Sequence, residues 1–359
     1  MNSLKLNFSQ LDRNQVIAFC QTQISICNTQ WQQDIFEFIL EWFDEKTYVQ
    51  AKTSGSTGEP KSIQLEKEKM NQSAKMTGEF FNFKKGNTAL LCLSPQFIAG
   101  KMMIVRALIW QMELICVKPD GHPLAILNQD IDFAAMIPLQ VRNSIQKPSQ
   151  LNRIKTILIG GGVLDKDVEK QVQGLNSRCC ASFGMTETLS HVAIKTLNGS
   201  EKSKSYKALK NISFSLDERS CLKIDAPALL SAPIVTNDMV ELKSETEFEW
   251  LGRFDNVINS AGIKLFPEQI EEKIAPFINQ PFFLIGTPDK HLGDKMILLI
   301  ESNDKNQSLK KEIQSKIEAY LEIYQRPREI ILVSEFERTL TGKIQRKATL
   351  TGITDSTKR

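Results

Sequence analysis

The chain is poor in the residues that build metal centres and disulfide frames. Its three histidines, His122, His191 and His291, are scattered. Its seven cysteines (Cys20, Cys27, Cys92, Cys116, Cys179, Cys180 and Cys221) are odd in number and contain no CxxC pair. Such usage argues against a zinc site or a secreted scaffold, and for reduced thiols in a cytoplasmic protein. No apolar run is long enough to cross a bilayer, and the opening MNSLKLNFSQLDRNQ lacks the apolar centre of a signal peptide, so no stable membrane insertion is expected. Nor is there an excess of one charge: 45 basic against 42 acidic residues leave +3, too little for a dedicated nucleic-acid or membrane-surface binder. What remains, 41% hydrophobic over 359 residues, suits a globular protein with a real core and two or more domains.

The apolar pattern then divides the chain. WQQDIFEFILEWFDEK places Trp31, Ile35, Phe38, Ile39 and Trp42 at helical spacing. From 88 to 184, strand-sized runs (TALLCLS, MELICV, IKTILIGGG, SRCCASFG) alternate with helical stretches, which predicts an α/β region with a largely parallel sheet. Between about 200 and 252 the segments are short and turn-punctuated, predicting a β-rich subdomain. From 253 to 359 the pattern is a compact α+β unit, and the tail TGITDSTKR is expected to fray.

One segment fits neither helix nor strand: TSGSTGEPKS, residues 53–62. Consecutive backbone N–H groups and hydroxyls in such a loop form a concave donor array for phosphate, to which Lys61 adds a mobile charge. It is not a Walker-A loop, because Pro60 stands where that motif needs glycine before the lysine. By itself the segment could equally be a flexible surface loop.

Further motifs follow in order: GGGVL (160–164), FGMTE (183–187), TND (236–238), GRFDNVINSAGIKLFPEQIE (252–271) and ERTLTGKIQR (337–346). Together they resemble the acyl-adenylate-forming superfamily, over roughly the whole chain after residue 50. The resemblance implies ATP, Mg²⁺ and coenzyme A, and a reaction in two halves: a carboxylate attacks the α-phosphate of ATP, then a thiol displaces AMP. It implies that Thr53, Ser54, Gly55, Ser56, Thr57, Gly58 and Lys61 cradle the outer phosphates. Thr186 is then the α-phosphate contact and Glu187 the Mg²⁺ ligand. Gly161, Gly162, Ser182 and Phe183 border the adenine, and Asp238 and Arg253 hold the ribose. Asn237 replaces the family's usual glycine. Asp255 falls at the hinge between an N-terminal domain (1–252) and a mobile C-terminal lid (253–359). Lys343 is the lid lysine that serves adenylation, and Asn259 and Gly262 lie on the loop that admits the pantetheine arm.

The short front and FGMTETLSH resemble the shortened bacterial o-succinylbenzoate–CoA ligases of menaquinone biosynthesis. Their acid has a second carboxylate, for which Lys101, Arg106 and His191 are candidates, Lys101 first; Phe97 stands where the family has histidine. Other readings stay open: another aryl- or acyl-CoA ligase, an enzyme loading a carrier protein, or a nucleotide binder without activity. The expected partners are small molecules, not nucleic acid, and a homo-oligomer is left open.

Overall fold

The computed structural model describes residues 3–52, 62–162, 164, 166–303, 307–338 and 344–356. Five parallel strands form the heart of the molecule, in the spatial order Glu113–Val117, Thr88–Leu91, Ile131–Met136, Ile154–Ile159 and Arg178–Gly184. Period-two alternation sends their side chains to two apolar layers: Ala89 and Leu91 enter one cluster, Leu90 and Cys92 the other. Burial on both faces explains why these strands read as continuous apolar runs.

The β-rich segment continues this same sheet. His191–Thr196 pairs antiparallel with Arg178–Gly184, and five more antiparallel strands follow, giving twelve in all with Ser3–Asn7 at the far edge. Strands Tyr48–Lys52 and Ser62–Glu66 pair separately, as far as Lys52 and Ser62, which stand on either side of residues 53–61.

Helix Gln30–Phe43 buries Ile35, Phe38, Ile39 and Trp42, as its spacing predicts, and Phe36 besides, while Trp31 stays partly exposed. A second N-terminal helix, Arg13–Ile26, opens with a capping box in which Asp12 accepts from Gln15 N and Gln15 Oε1 accepts from Asp12 N. It buries only Val16 and Cys20, so it carries almost no apolar period.

Residues beyond 257 build their own sheet, in which Gly293–Glu301 lies between Phe282–Asp289 on one edge and Ile258–Ser260 with Glu329–Val333 on the other. Two apolar clusters of their own pack against it. Up to Ser356 the tail differs from expectation: Arg346–Ser356 is helical, with Leu350 and Ile353 packed on the cluster around Phe283 and Phe336, while 357–359 lie outside the described residues. Among the described residues no helix is long and apolar enough to cross a membrane, and all seven cysteines are free.

Candidate active site

The five parallel strands share one carboxyl edge, and open α/β sheets bind ligands at that edge. Phe97, Gly161, Gly162, Thr186 and Glu187 all lie on segments leaving those strand ends. After Ile154–Ile159 the chain turns through Gly161, whose φ of +82° suits glycine. Close approach falls on its neighbour instead. A Cβ on Gly160 would lie 2.3 Å from Ser182 Oγ, which itself donates to Ile159 O at 3.2 Å. Ser182 therefore ties two strand ends together beneath an exposed glycine backbone.

After Arg178–Gly184, residues 185–190 form a turn, so Thr186 and Glu187 do not begin a helix. The buried Thr188 shapes it, accepting from Met185 N at 3.0 Å while its hydroxyl lies 2.7 Å from Ser190 O. Glu187 is exposed and has no hydrogen bond or ion pair among the described residues. A bare carboxylate beside an open edge fits Mg²⁺, which takes few protein ligands and fills its shell with phosphate oxygens and water. Phe183 is half-buried, edge-on to Tyr206 at 5.7 Å and Phe248 at 5.1 Å.

Asp238 and Arg253 face each other across paired strands. The buried Asp238 meets Arg253 Nη1 at 3.3 Å and accepts from Trp250 Nε1 at 3.0 Å. Trp250, which no motif flags, thus fixes the carboxylate's orientation. Asn237 sits in extended strand and donates to Asp255 Oδ2 at 3.3 Å, so its side chain matters here rather than any left-handed backbone. Asp255 also lies 3.5 Å from Arg253.

The basic candidates part company. Lys101 is buried but already paired, 3.3 Å from Glu41 and 4.2 Å above the Phe38 ring; burial lowers its pKa and Glu41 opposes that. Arg106 is 2% exposed and has no carboxylate partner among the described residues. It donates to Thr77 Oγ1 at 3.3 Å, Ser190 Oγ at 2.6 Å and Met103 Sδ at 3.7 Å. Burial pushes its pKa down to about 9, which leaves it cationic at neutral pH. His191 is buried against the same two hydroxyls, 3.2 Å from each. Burial, and then the Arg106 charge, hold its pKa well below the ordinary 6.5, so it is neutral. Phe97 is 40% exposed at the start of helix Ile98–Ile109.

Asn259 and Gly262 belong to a hairpin, Ile258–Ser260 with Ile263–Leu265. Its turn residues Ala261 and Gly262 have φ of 50° and 80°. No atom of the described residues lies within 4 Å of a Cβ on Gly262, and the positive φ of the turn itself favours glycine. Thr53, Ser54, Gly55, Ser56, Thr57, Gly58, Lys61 and Lys343 lie outside the described residues. Arg338 bridges to Ile344 on either side of the last of these.

A doubly covered parallel sheet, with a glycine turn and a bare carboxylate on its open edge, defines an α/β protein built to take a nucleotide. A family model described as AMP-binding enzyme matches residues 46–213. The chain is 34% identical to an acyl-CoA synthetase (AMP-forming)/AMP-acid ligase II-like protein from Dyadobacter fermentans, over 98% of this chain and 99% of that one, with a TM-score of 0.65. It is 24% identical to the 2-succinylbenzoate–CoA ligase of Lactococcus lactis, across 85% of this chain and 71% of that protein. The fold also matches O-succinylbenzoate coenzyme A synthetase (MenE) from Bacillus subtilis, solved with ATP and magnesium, at a TM-score of 0.69 and 16% identity over 96% of this chain and 83% of that one. The chain belongs to the AMP-binding enzyme family, among the AMP-forming ligases.

Proposed function

We propose that this chain is an acid–CoA ligase that adenylates o-succinylbenzoate with ATP and passes the acyl group to coenzyme A, as menaquinone biosynthesis requires. The observation that carries the choice of acid is Arg106. A buried guanidinium held only by neutral groups is costly, and a second substrate carboxylate would supply the missing counter-charge through paired N–H···O bonds. Lys101, already opposite Glu41, has less to offer it. The 2-succinylbenzoate–CoA ligases similar to this chain support the same reading, although it spans only 62% to 71% of the length of three of them.

In this proposal the donor array of residues 53–61 and Lys343 neutralise charge where acid and α-phosphate meet, with Thr186 beside them. Glu187 holds Mg²⁺, Asp238 and Arg253 hold the ribose, and Phe183 with Gly161 and Gly162 borders the adenine. The lid begins at 253 and turns near Asp255, bringing the Asn259–Gly262 hairpin toward the pantetheine arm. ATP and coenzyme A as co-substrates, and seven unpaired thiols, suit a reducing cytoplasmic compartment.

The test is pyrophosphate release over a panel of acids, with and without coenzyme A. The expected result is release with o-succinylbenzoate and much less with the same acid lacking its ring carboxylate. Arg106→Met should raise KM for the diacid about tenfold or more, while Lys101→Met changes it by less than about threefold. Equal turnover of both acids would overturn the diacid assignment, and no pyrophosphate release with any acid would overturn the ligase reading itself.

A further inference from the structure

The hydrogen bonds around Arg106 can be assigned proton by proton. Arginine only donates, so Thr77 Oγ1 and Ser190 Oγ both accept from it. Each hydroxyl then has one proton of its own to place. Thr77 places its proton on Ser73 O, 3.0 Å away in the preceding helical turn. The Ser190 proton has one acceptor in reach among the described residues, His191 Nδ1 at 3.2 Å. Nδ1 is therefore bare, and the ring hydrogen sits on Nε2, donating to Thr77 Oγ1 at 3.2 Å. The opposite tautomer would leave the Ser190 proton without an acceptor.

We infer that His191 is a positioning residue for Arg106: as the neutral Nε2–H tautomer it orients the Thr77 and Ser190 hydroxyls that hold the guanidinium, and so tunes selectivity for a dicarboxylate. This rests on the substrate reading above. His191 then acts through two hydroxyls instead of touching the ligand: Ser190, its neighbour in FGMTETLSH, and Thr77, which lies in no motif. Three hydrogen bonds engage three of the five N–H groups of Arg106, leaving two for a ligand. The Ser73 hydroxyl, fully buried one turn from Thr77, also has no partner among the described residues. An incoming carboxylate would satisfy such donors, provided the guanidinium plane is already set. That preset plane is what His191 contributes; without it the carboxylate must order a loose cation as it binds.

The experiment uses the full chain and the His191→Leu and His191→Gln variants. With o-succinylbenzoate, His191→Leu should raise KM about tenfold with kcat within about twofold, and leave KM for the acid lacking the ring carboxylate unchanged. His191→Gln, whose amide can still donate to Thr77, should recover most of the loss. Nitrogen NMR of the wild-type histidines, with His191 identified by its absence from the Gln variant, should show a neutral Nε2–H ring. An Nδ1–H ring, an imidazolium at neutral pH, or an equal KM rise for both acids would overturn the inference. If wild type turns over both acids alike, the substrate reading fails, and the tautomer spectrum still decides the network.

Discussion

At the scale of single residues, His191 couples the Arg106 cluster to the stability of the fold. Its burial and the neighbouring Arg106 keep it neutral when folded, whereas in the unfolded chain it titrates near 6.5. Below that pH the unfolded chain binds a proton the folded chain refuses, so stability must fall as pH drops, by at most about 1.4 kcal/mol per pH unit. Carboxylates held low by partners, such as Glu301 beside Arg338, lose their contribution only in more acidic solution, which separates the two effects. Thermal midpoints measured from pH 7.5 to about 5 should therefore decline for wild type and decline less for His191→Gln. Parallel curves would mean that the ring titrates normally inside the protein. None of this was legible in the sequence, because residues 100–107 are buried on every side of their helix. With no polar face in the pattern, nothing marks Arg106 as interior and Lys101 as already paired.

The elements were legible in proportion to their apolar period. The five parallel strands stood out because both their faces are buried, and Gln30–Phe43 because one face is. Arg13–Ile26 escaped, its only signal being the Asp12–Gln15 cap, and Arg346–Ser356 escaped because its apolar positions are few. The 258–265 hairpin passed for a loop since each of its strands has three residues, too few to alternate. What its sequence does carry is a turn flaw. Both turn residues need positive φ, yet Ala261 fills the first place, and alanine pays about 1–2 kcal/mol there. Ala261→Asn should therefore raise unfolding free energy by about 0.5–1 kcal/mol, whereas Gly262→Ala should lower it by about 1 kcal/mol. Denaturant midpoints with unchanged slopes would read both effects; a destabilised Ala261→Asn would show that the side chain at 261 makes contacts that outweigh its backbone.

For the whole molecule, the arrangement that matters is the proposed division into an N-terminal domain and a lid, whose apolar clusters are separate on either side of residues 254–257. Glu268, at the start of helix Pro267–Ile274, stands at the join. It accepts from Asn256 Nδ2 at 2.6 Å, its other oxygen lies 2.6 Å from where a Cβ on Gly252 would be, and Arg346 Nη2 is 3.6 Å away. Arg346 also meets both oxygens of Glu271, at 2.8 Å each, so the residues just after Lys343 are firmly rooted in the C-terminal unit. On the proposed mechanism, Lys343 serves one half-reaction and is withdrawn for the other, which requires that the C-terminal unit turn as a body. Lys343→Ala should then abolish acyl-adenylate formation, seen as loss of pyrophosphate exchange, yet leave thioester formation from supplied acyl-adenylate within about threefold of wild type. Arg346→Met serves as the contrast. Removing the partner of the part-buried Glu271 should cost about 1.5–3 kcal/mol within the C-terminal unit and depress both half-reactions together. If Lys343→Ala also lost both halves equally, the lysine would be a structural residue like Arg346, and a single fixed arrangement of the two units would account for the chemistry better than a turning one.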